Sequence, residues 1–354
     1  MPLRTIAVAG LGRVGTVAAT LLYENGFDVR GFDERGPRTG LPFPVRGADL
    51  TAVDDLQQMV GSVDAVLSCL PPRANLSVAT AAHAAGIHYF DLTEDVATAN
   101  AILALSSSSR ALMAPQCGLA PGFISIVGAA QVALFDTCRS LRLRVGALPR
   151  HPTGLMGYAF NWSPEGVVNE YLNDCEVIED GVRKRVSPLE WHETLYVEGV
   201  QLEAFTTSGG LGTLCGTLHG TVANVDYKTI RYPGHMALMN FFFHELLMRE
   251  RRELAGEILT NAKPPVDADI VYVHVSAEGH ADGRLQRREF VRAYRPRATA
   301  AGTLSAIAWT TAASAVAVIH LVRAGDLPQT GFLKQEEVPL AAFLSTPTGT
   351  LFAG

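Results

Sequence analysis

The stretch Gly10-Leu11-Gly12-Arg13-Val14-Gly15 constrains the fold of this chain more than any other. It follows a short apolar run, Arg4 to Ala9, and leads into a helical pattern that reaches Tyr23. A second apolar run, Phe27 to Phe32, closes at Asp33. Strand, glycine turn, helix, strand and acid, in that order, make a βαβ unit suited to a dinucleotide. Gly10 permits the tight turn, Gly12 lets the backbone approach a pyrophosphate, and Gly15 lets the helix lie close to the sheet. The helix start, at Arg13 and Val14, turns N–H groups and a partial positive charge toward the phosphates. A glycine turn that holds no ligand is the alternative. Asp33 lies 23 positions after Gly10. A carboxylate there accepts from both ribose hydroxyls and repels a 2′-phosphate, which favours NAD. Arg35 works against this, because a guanidinium neutralises such a phosphate, so NADP stays open. The bland reading of Arg35 is solvated loop charge.

The βα alternation continues. Strands are expected at Phe43 to Ala48, Asp64 to Leu70, Ile87 to Phe90 and Ala111 to Pro115, with helices at Val53 to Val60, Asn75 to Ala85 and Val96 to Leu105. Six parallel strands with intervening helices form a doubly wound sheet, in which Leu70 and Pro71 flank the cofactor path at a strand's carboxyl end. The pattern then changes. A helix from Pro121 to about Leu134 precedes strands at Ser140 to Val145, Val200 to Thr207, Val225 to Tyr232, Ile270 to Ala277 and Glu289 to Tyr294, and a long helix at Met236 to Ala255. Asp180-Gly181, central in Glu176 to Val186, is a strong hairpin turn. The fold class is therefore α/β: a Rossmann sheet plus an inserted α/β domain with a mixed, largely antiparallel sheet. The expected domains are 1–118, 119–298 and 299–354, the last a helix and tail returning to the Rossmann domain.

Size and charge narrow the function. A chain of 354 residues, 48% hydrophobic, carries a sizeable core, and its net charge of −6 argues against a nucleic-acid surface. Five scattered cysteines form no CxxC, and His192-Glu193 and His244-Glu245 each lack the second histidine of a zinc helix, so no metal is expected. Ala298 to Val322 holds no charged residue and is long enough to cross a bilayer, but its Ala, Thr and Ser content points to a buried helix. No membrane contact is expected, and with no secretory signal before the first strand a cytoplasmic enzyme is the default.

Four stretches carry candidate chemistry. Gly118-Leu119-Ala120-Pro121-Gly122 sits at the domain junction, where it either lines a cleft or merely starts a helix. In Tyr158 to Gly166, Ser163 and Pro164 serve as N-cap and first helical residue, which leaves Tyr158, Asn161 and Glu165 unexplained. Glu165 is placed to hold a substrate ammonium. Ser208-Gly209-Gly210-Leu211-Gly212 either offers N–H groups to a carboxylate or is a simple turn. Tyr227 to His235 is dense in polar groups: Arg231 grips a carboxylate, and Lys228 and His235 accept protons. An odd separation puts Lys228 and Arg231 on opposite faces of a regular strand, unless the strand bends before Pro233. An edge-strand salt bridge is the bland reading of this cluster.

At these motifs the chain resembles the saccharopine dehydrogenase-related family, and within it the lysine 6-dehydrogenase branch. GLGRVG, FDLTED, GLAPGF, YAFNWSPEG with NEY, LEAFTTSGG, YKTIRYPGH and GFLKQEEVPL carry the likeness over nearly the whole chain. The resemblance implies a Rossmann domain and an α/β domain with substrate and dimer contacts, hence a homodimer. It also implies NAD-dependent oxidation of an amino acid's amine, as in oxidative deamination of lysine; the alternatives are a saccharopine/opine-type or carboxyspermidine-type dehydrogenase that works reductively, and a dinucleotide-binding protein that has lost the chemistry. By it, Gly10, Gly12, Gly15 and Asp33 would hold the dinucleotide and Arg231 the substrate carboxylate. Asp91, Tyr158, Glu165, Lys228 and His235 would surround the reacting amine. Fungal-type saccharopine reductases carry an Asp before the Pro-Gly of the junction loop; here that position is Ala120, which favours a smaller amine.

Overall fold

Short apolar runs build the first sheet, with Gly10 directly after Thr5–Ala9 and Pro115 directly after Leu112–Ala114. The structure, a computed structural model, describes residues 3–299 and 302–353. The chain divides into two compact units, Met1–Phe123 with Ala308–Gly354, and Ile124–Ile307.

In the first unit seven parallel strands lie in the order Gly331–Phe332, Leu112–Ala114, His88–Asp91, Ala65–Ser68, Thr5–Ala9, Asp28–Asp33, Val45–Gly47. The six expected strands are present, and the tail adds a seventh, pairing Gly331 with Leu112. That strand is two residues long, too short for any periodicity to reveal. The strand expected at Phe43 to Ala48 shrinks to Val45–Gly47, because Pro44 has no N–H for the ladder. Helix Pro72–Ala85 stops at Gly86, whose φ of +69° is the left-handed conformation that ends a helix. Helix Ala306–Ala324 has 83% of its apolar window buried and is a core helix. The sequence pattern also predicts that this helix starts at Ala300, a residue outside the described ones.

The second unit holds a mixed sheet, in the order Glu193–Val197, Val200–Thr206, Asn224–Arg231, Thr137–Pro149, Asp269–Ala281, Arg284–Tyr294. Asn224–Arg231 runs parallel to Thr137–Pro149, and the other neighbours in this path are antiparallel. The hairpin Cys175–Glu179 with Val182–Val186 joins it, turning at Asp180 and Gly181 with φ of +51° and +80°. Two positive φ values in succession are what a type I′ hairpin demands. One expectation needs correcting. The long helix Met236 to Ala255 is instead His235–Asn240, a π-turn at Phe241–Glu245, a 3₁₀ turn at Met248–Glu250 and helix Arg252–Ala262. The break falls at Leu247, whose φ of +57° no helix accommodates. Its apolar pattern continues across the break, so periodicity alone hides it.

Candidate functional site

In the first unit the three glycines differ in what surrounds them. At Gly10, φ is +86°, and an added Cβ would meet Leu70 Cδ2 at 2.8 Å. At Gly15 it would lie 1.9 Å from the Gly10 carbonyl oxygen. Both glycines are needed by the fold itself. At Gly12 a Cβ would meet nothing within 4 Å. Space is thus open above the start of helix Arg13–Glu24, whose N-cap Gly12 makes no side-chain bond and whose first turn holds no acid. Val14 lies in that first turn, where the helix carries its positive end. This cradle fits a pyrophosphate. Leu70 walls the glycine turn, and Pro71 caps helix Pro72–Ala85 at the carboxyl end of strand Ala65–Ser68.

Asp33 is buried beneath the turn. Its Oδ2 accepts from Leu11 N at 2.7 Å and Arg35 Nη2 at 3.0 Å, and its Oδ1 from Arg35 N at 3.1 Å and Arg35 Nε at 2.8 Å. Arg38 Nη2 stands 3.7 Å from Oδ2. The Arg35 guanidinium foremost, with these N–H donors, holds the carboxyl well below the usual range.

Asp91 closes strand His88–Asp91 and is fully buried. It accepts from Gln116 N at 2.8 Å, Thr93 N at 3.0 Å and the Tyr89 hydroxyl at 2.8 Å. Burial pushes its pKa up to about 6 against the pull of those donors. The bonds from Gln116 and Thr93 pin loops of the first unit. At the junction turn the Ala120–Pro121 peptide is cis, and Phe123 N donates to Gly118 O at 2.9 Å.

In the second unit strand Asn224–Arg231 stays regular to its end, so Lys228 and Arg231 point to opposite faces and have different partners. Lys228 Nζ donates to Glu193 Oε2 at 2.8 Å, and Glu193 also receives Arg144 Nε and Nη2. Arg144 in turn pairs with Asp226 at 2.6 Å. Burial and the nearby Arg144 lower the lysine's pKa, against the pull of Glu193.

Arg231 lies in an aromatic box. Its guanidinium carbon stands 4.6 Å from the Tyr158 ring centre and 5.6 Å from that of Tyr171. Nη2 is 3.7 Å from Glu170 Oε2, and Nη1 donates to Ile230 O at 2.9 Å and to Thr229 Oγ1. Nε donates to the Tyr171 hydroxyl at 2.8 Å. That hydroxyl is 3.0 Å from His235 Nε2, while His235 Nδ1 is 3.0 Å from Met156 O. A carbonyl only accepts, so Nδ1 carries the proton and Nε2 accepts from Tyr171. Burial foremost, then Arg231, pushes the His235 pKa down to about 3. His235 is neutral and wholly enclosed, with Phe205 stacked 6.3 Å away. Tyr171 also walls a cavity of about 540 Å³, together with Glu190, Asn240, His244, Arg249 and Arg252.

The remaining candidates divide. Glu165 is exposed in the first turn of helix Pro164–Leu172, where it complements the helix dipole, and Ser163 Oγ caps Gly166 N at 3.1 Å. Asn161 is buried; its Oδ1 accepts from Val266 N at 2.7 Å, and its Nδ2 has no partner. Gly209 has φ of +87°, and at Gly210 a Cβ would lie 2.4 Å from the Tyr227 ring, so both glycines have steric reasons to be there. Arg231, Tyr158 and His235 are thus brought together; Lys228 and Glu165 are not among them.

Sequence reasoning gave no role to Glu170, Tyr171 and Glu203, although the motifs NEY and LEAFTTSGG contain them. Glu203 holds the Pro233-Gly234-His235 turn by accepting from Gly234 N at 2.9 Å and Met236 N at 2.7 Å. Spacing could have found Glu170: it lies three residues from Val167, on the buried stripe of Val167 and Tyr171, whereas Glu165 falls off that stripe. Nothing local marks Glu203, whose partners are 31 and 33 residues away.

Comparison with known proteins agrees with this layout. The profile of the Saccharopine dehydrogenase NADP binding domain matches residues 6–114, and that of the Saccharopine dehydrogenase C-terminal domain matches 118–347. Among solved structures, saccharopine dehydrogenase (L-Glu forming) from Saccharomyces cerevisiae is 15% identical, with a TM-score of 0.72 over 94% of each chain. An engineered D-amino acid dehydrogenase bound to NADP+ is 14% identical, with a TM-score of 0.53 over 99% of each chain. The C. glutamicum DAP dehydrogenase in complex with DAP is 13% identical, with a TM-score of 0.52 over 100% of this chain and 99% of that one. At such identities these likenesses concern the fold.

Proposed function

Because the chain belongs to the saccharopine dehydrogenase family, we propose that it is an NAD(P)-dependent dehydrogenase that oxidises an amine of an amino acid, with the distal amine of lysine the first substrate to test. The observation that carries this reading is the buried Arg231–Glu170 pair beside Tyr158 and Tyr171. A free amino acid presents a carboxylate and an ammonium on one carbon, and a guanidinium next to a carboxylate complements that pair. The names of the solved relatives, which act on or bind amino acids, favour the same substrate class.

In this reading the first unit holds the dinucleotide, through Gly10, Gly12, Arg13, Val14, Gly15, Leu70 and Pro71. A dinucleotide held there would supply the hydride acceptor. Arg231 takes the substrate carboxylate and Glu170 its α-ammonium. His235 acts through Tyr171: its fixed tautomer aims the hydroxyl and keeps that oxygen turned to Arg231. Lys228, on the strand's other face and paired with Glu193, supports the sheet and takes no part in the chemistry. Asp91 holds the loops after its strand, and Glu165 serves its helix. The enzyme acts as a homodimer in the cytoplasm.

The test is an amino-acid panel followed by the appearance of reduced nicotinamide. Hydride leaves from a neutral amine, and only roughly one lysine amine in a few thousand is neutral at pH 7. The rate with lysine should therefore climb steadily from pH 7 to 10, and a flat profile contradicts a step limited by amine deprotonation. Arg231→Lys keeps the charge but loses the fork, so it should raise KM about tenfold or more with a smaller change in kcat. No turnover with any amino acid in either cofactor would end the proposal.

A further inference from the structure

We propose that the cavity walled by Tyr171 in the second unit is a second binding site, for a small dianion such as a dicarboxylate or a phosphate monoester, and that its occupant acts on Arg231 through Tyr171. The cavity measures about 540 Å³, within the roughly 300–1,000 Å³ of small-molecule sites. Arg249, Arg252, His244, Asn240, Ser187 and Glu190 supply its polar lining. Tyr158, Glu170, Arg231 and His235 do not line it. Tyr171 alone belongs to both places: it walls the cavity, while its hydroxyl accepts from Arg231 Nε at 2.8 Å and stands 3.0 Å from His235 Nε2. Binding in the cavity stands whether or not the chain is a dehydrogenase; only the effect on turnover rests on that reading.

The break at Leu247 is what gathers the donors. His244 lies in the π-turn Phe241–Glu245, Arg249 in the 3₁₀ turn Met248–Glu250, and Arg252 opens helix Arg252–Ala262. An unbroken helix, at about 100° per residue, would spread these three over about 140° of its surface. The cations are held without being neutralised. Arg252 Nη1 donates to Asn169 Oδ1 at 2.9 Å and to Asn173 Oδ1 at 2.8 Å, and these uncharged partners fix the guanidinium while its Nε and Nη2 keep their N–H groups. Arg249 Nη1 stands 3.1 Å from His244 Nδ1. A guanidinium only donates, so Nδ1 accepts and the ring's proton sits on Nε2, a further donor. Among the described residues neither arginine has a carboxylate partner. Glu245, Glu250 and Glu253, close to them in sequence, do not line the cavity, which leaves Glu190 as its one acid. The hydrogen bonds of Glu190 run from its backbone to Thr206. Two guanidiniums against one carboxylate make the lining cationic, and a dianion gives each guanidinium a charge that a monoanion cannot. The path to Arg231 is one side chain long. An occupied cavity packs Tyr171 in place and holds its hydroxyl on Arg231 Nε, so the guanidinium meets a substrate carboxylate already oriented.

Calorimetry on the full chain at constant ionic strength tests the site, with succinate, inorganic phosphate and acetate as probes. Succinate or phosphate should bind about tenfold or more tightly than acetate, and the tighter of the two identifies the source of the dianion. Arg249→Glu and Arg252→Lys should each weaken that binding about tenfold or more, with melting temperatures confirming that both variants fold, whereas Arg231→Lys should leave it unchanged. In turnover assays the bound dianion should lower the KM for the amino-acid substrate about fivefold or more. Tyr171→Phe should keep the dianion bound and abolish that shift. No binding of either dianion, equal binding of acetate, or binding that survives both cavity variants would overturn the site. So would loss of binding in Arg231→Lys, which would move the anion to the substrate's own place. A KM that rises or stays the same would overturn the coupling through Tyr171. If no amino acid is turned over with either cofactor, the dehydrogenase proposal falls while the calorimetry still decides the site.

Discussion

One hydroxyl, that of Tyr171, serves two buried groups at once, accepting from Arg231 and donating to His235. Tyr171→Phe strands both, so it should cost roughly 1–3 kcal/mol in urea unfolding; an unchanged midpoint would show that neither bond contributes. His235 itself makes a pH prediction. Its folded pKa lies near 3, against an ordinary value of 6.5. Between those values the unfolded chain binds a proton that the folded chain refuses. This part of the stability is complete above pH 6.5 and is lost as pH falls toward 3, at up to about 1.4 kcal/mol per pH unit. Asp91 works the other way: its raised pKa, about 6, favours the folded state at low pH and withdraws that favour as pH rises from about 4 to 6. His235→Gln should therefore flatten the acid side of the stability profile by about one proton, as read from urea midpoints between pH 4 and 6.5. A slope equal to that of the unaltered chain would mean that His235 is not held neutral. Residue type and spacing sufficed to mark Arg231 and His235 in one polar stretch and Tyr158 in another. They did not show that His235 is enclosed, since burial depends on Met156 and Phe205, distant in sequence.

At the scale of elements, the opening turn and helix were legible because every requirement lies within thirty residues. The glycines then make a discriminating pair. Gly15→Ala puts a Cβ against the Gly10 carbonyl and should unfold or strongly destabilise the first unit. Gly12→Ala meets nothing and should leave the melting temperature within a few degrees while dinucleotide binding falls by roughly tenfold or more. Circular dichroism melts and NADPH titration of both variants check this; equal behaviour would remove the case for a phosphate cradle at Gly12. The strand Asn224–Arg231 was equally legible, down to the opposed faces of Lys228 and Arg231. The region from Met236 to Ala262 was not, because the left-handed Leu247 interrupts an apolar pattern that reads as one helix.

At the scale of the whole molecule, the first unit is assembled from two separated segments. The tail supplies strand Gly331–Phe332, and Phe343 and Phe352 stack on Phe123 with ring centres 5.4 and 4.2 Å away. A fragment ending at Phe123 should therefore lack a cooperative melt and bind no dinucleotide, and one that melts sharply and binds would show the tail to be dispensable. By itself the sequence determined the βαβ start, the doubly wound sheet, the change to a mostly antiparallel second sheet and the membership of Arg231 in a polar cluster. All of these follow from periodicity, glycine placement and residue chemistry over short spans. Tertiary structure alone decided that Asp33 is consumed by Arg35, that Glu203 holds the turn before His235, and that two residues of the tail complete the first sheet. Each of these is a pairing between groups brought together by folding, and the energy of such a pair depends on distance and burial, which no local pattern encodes.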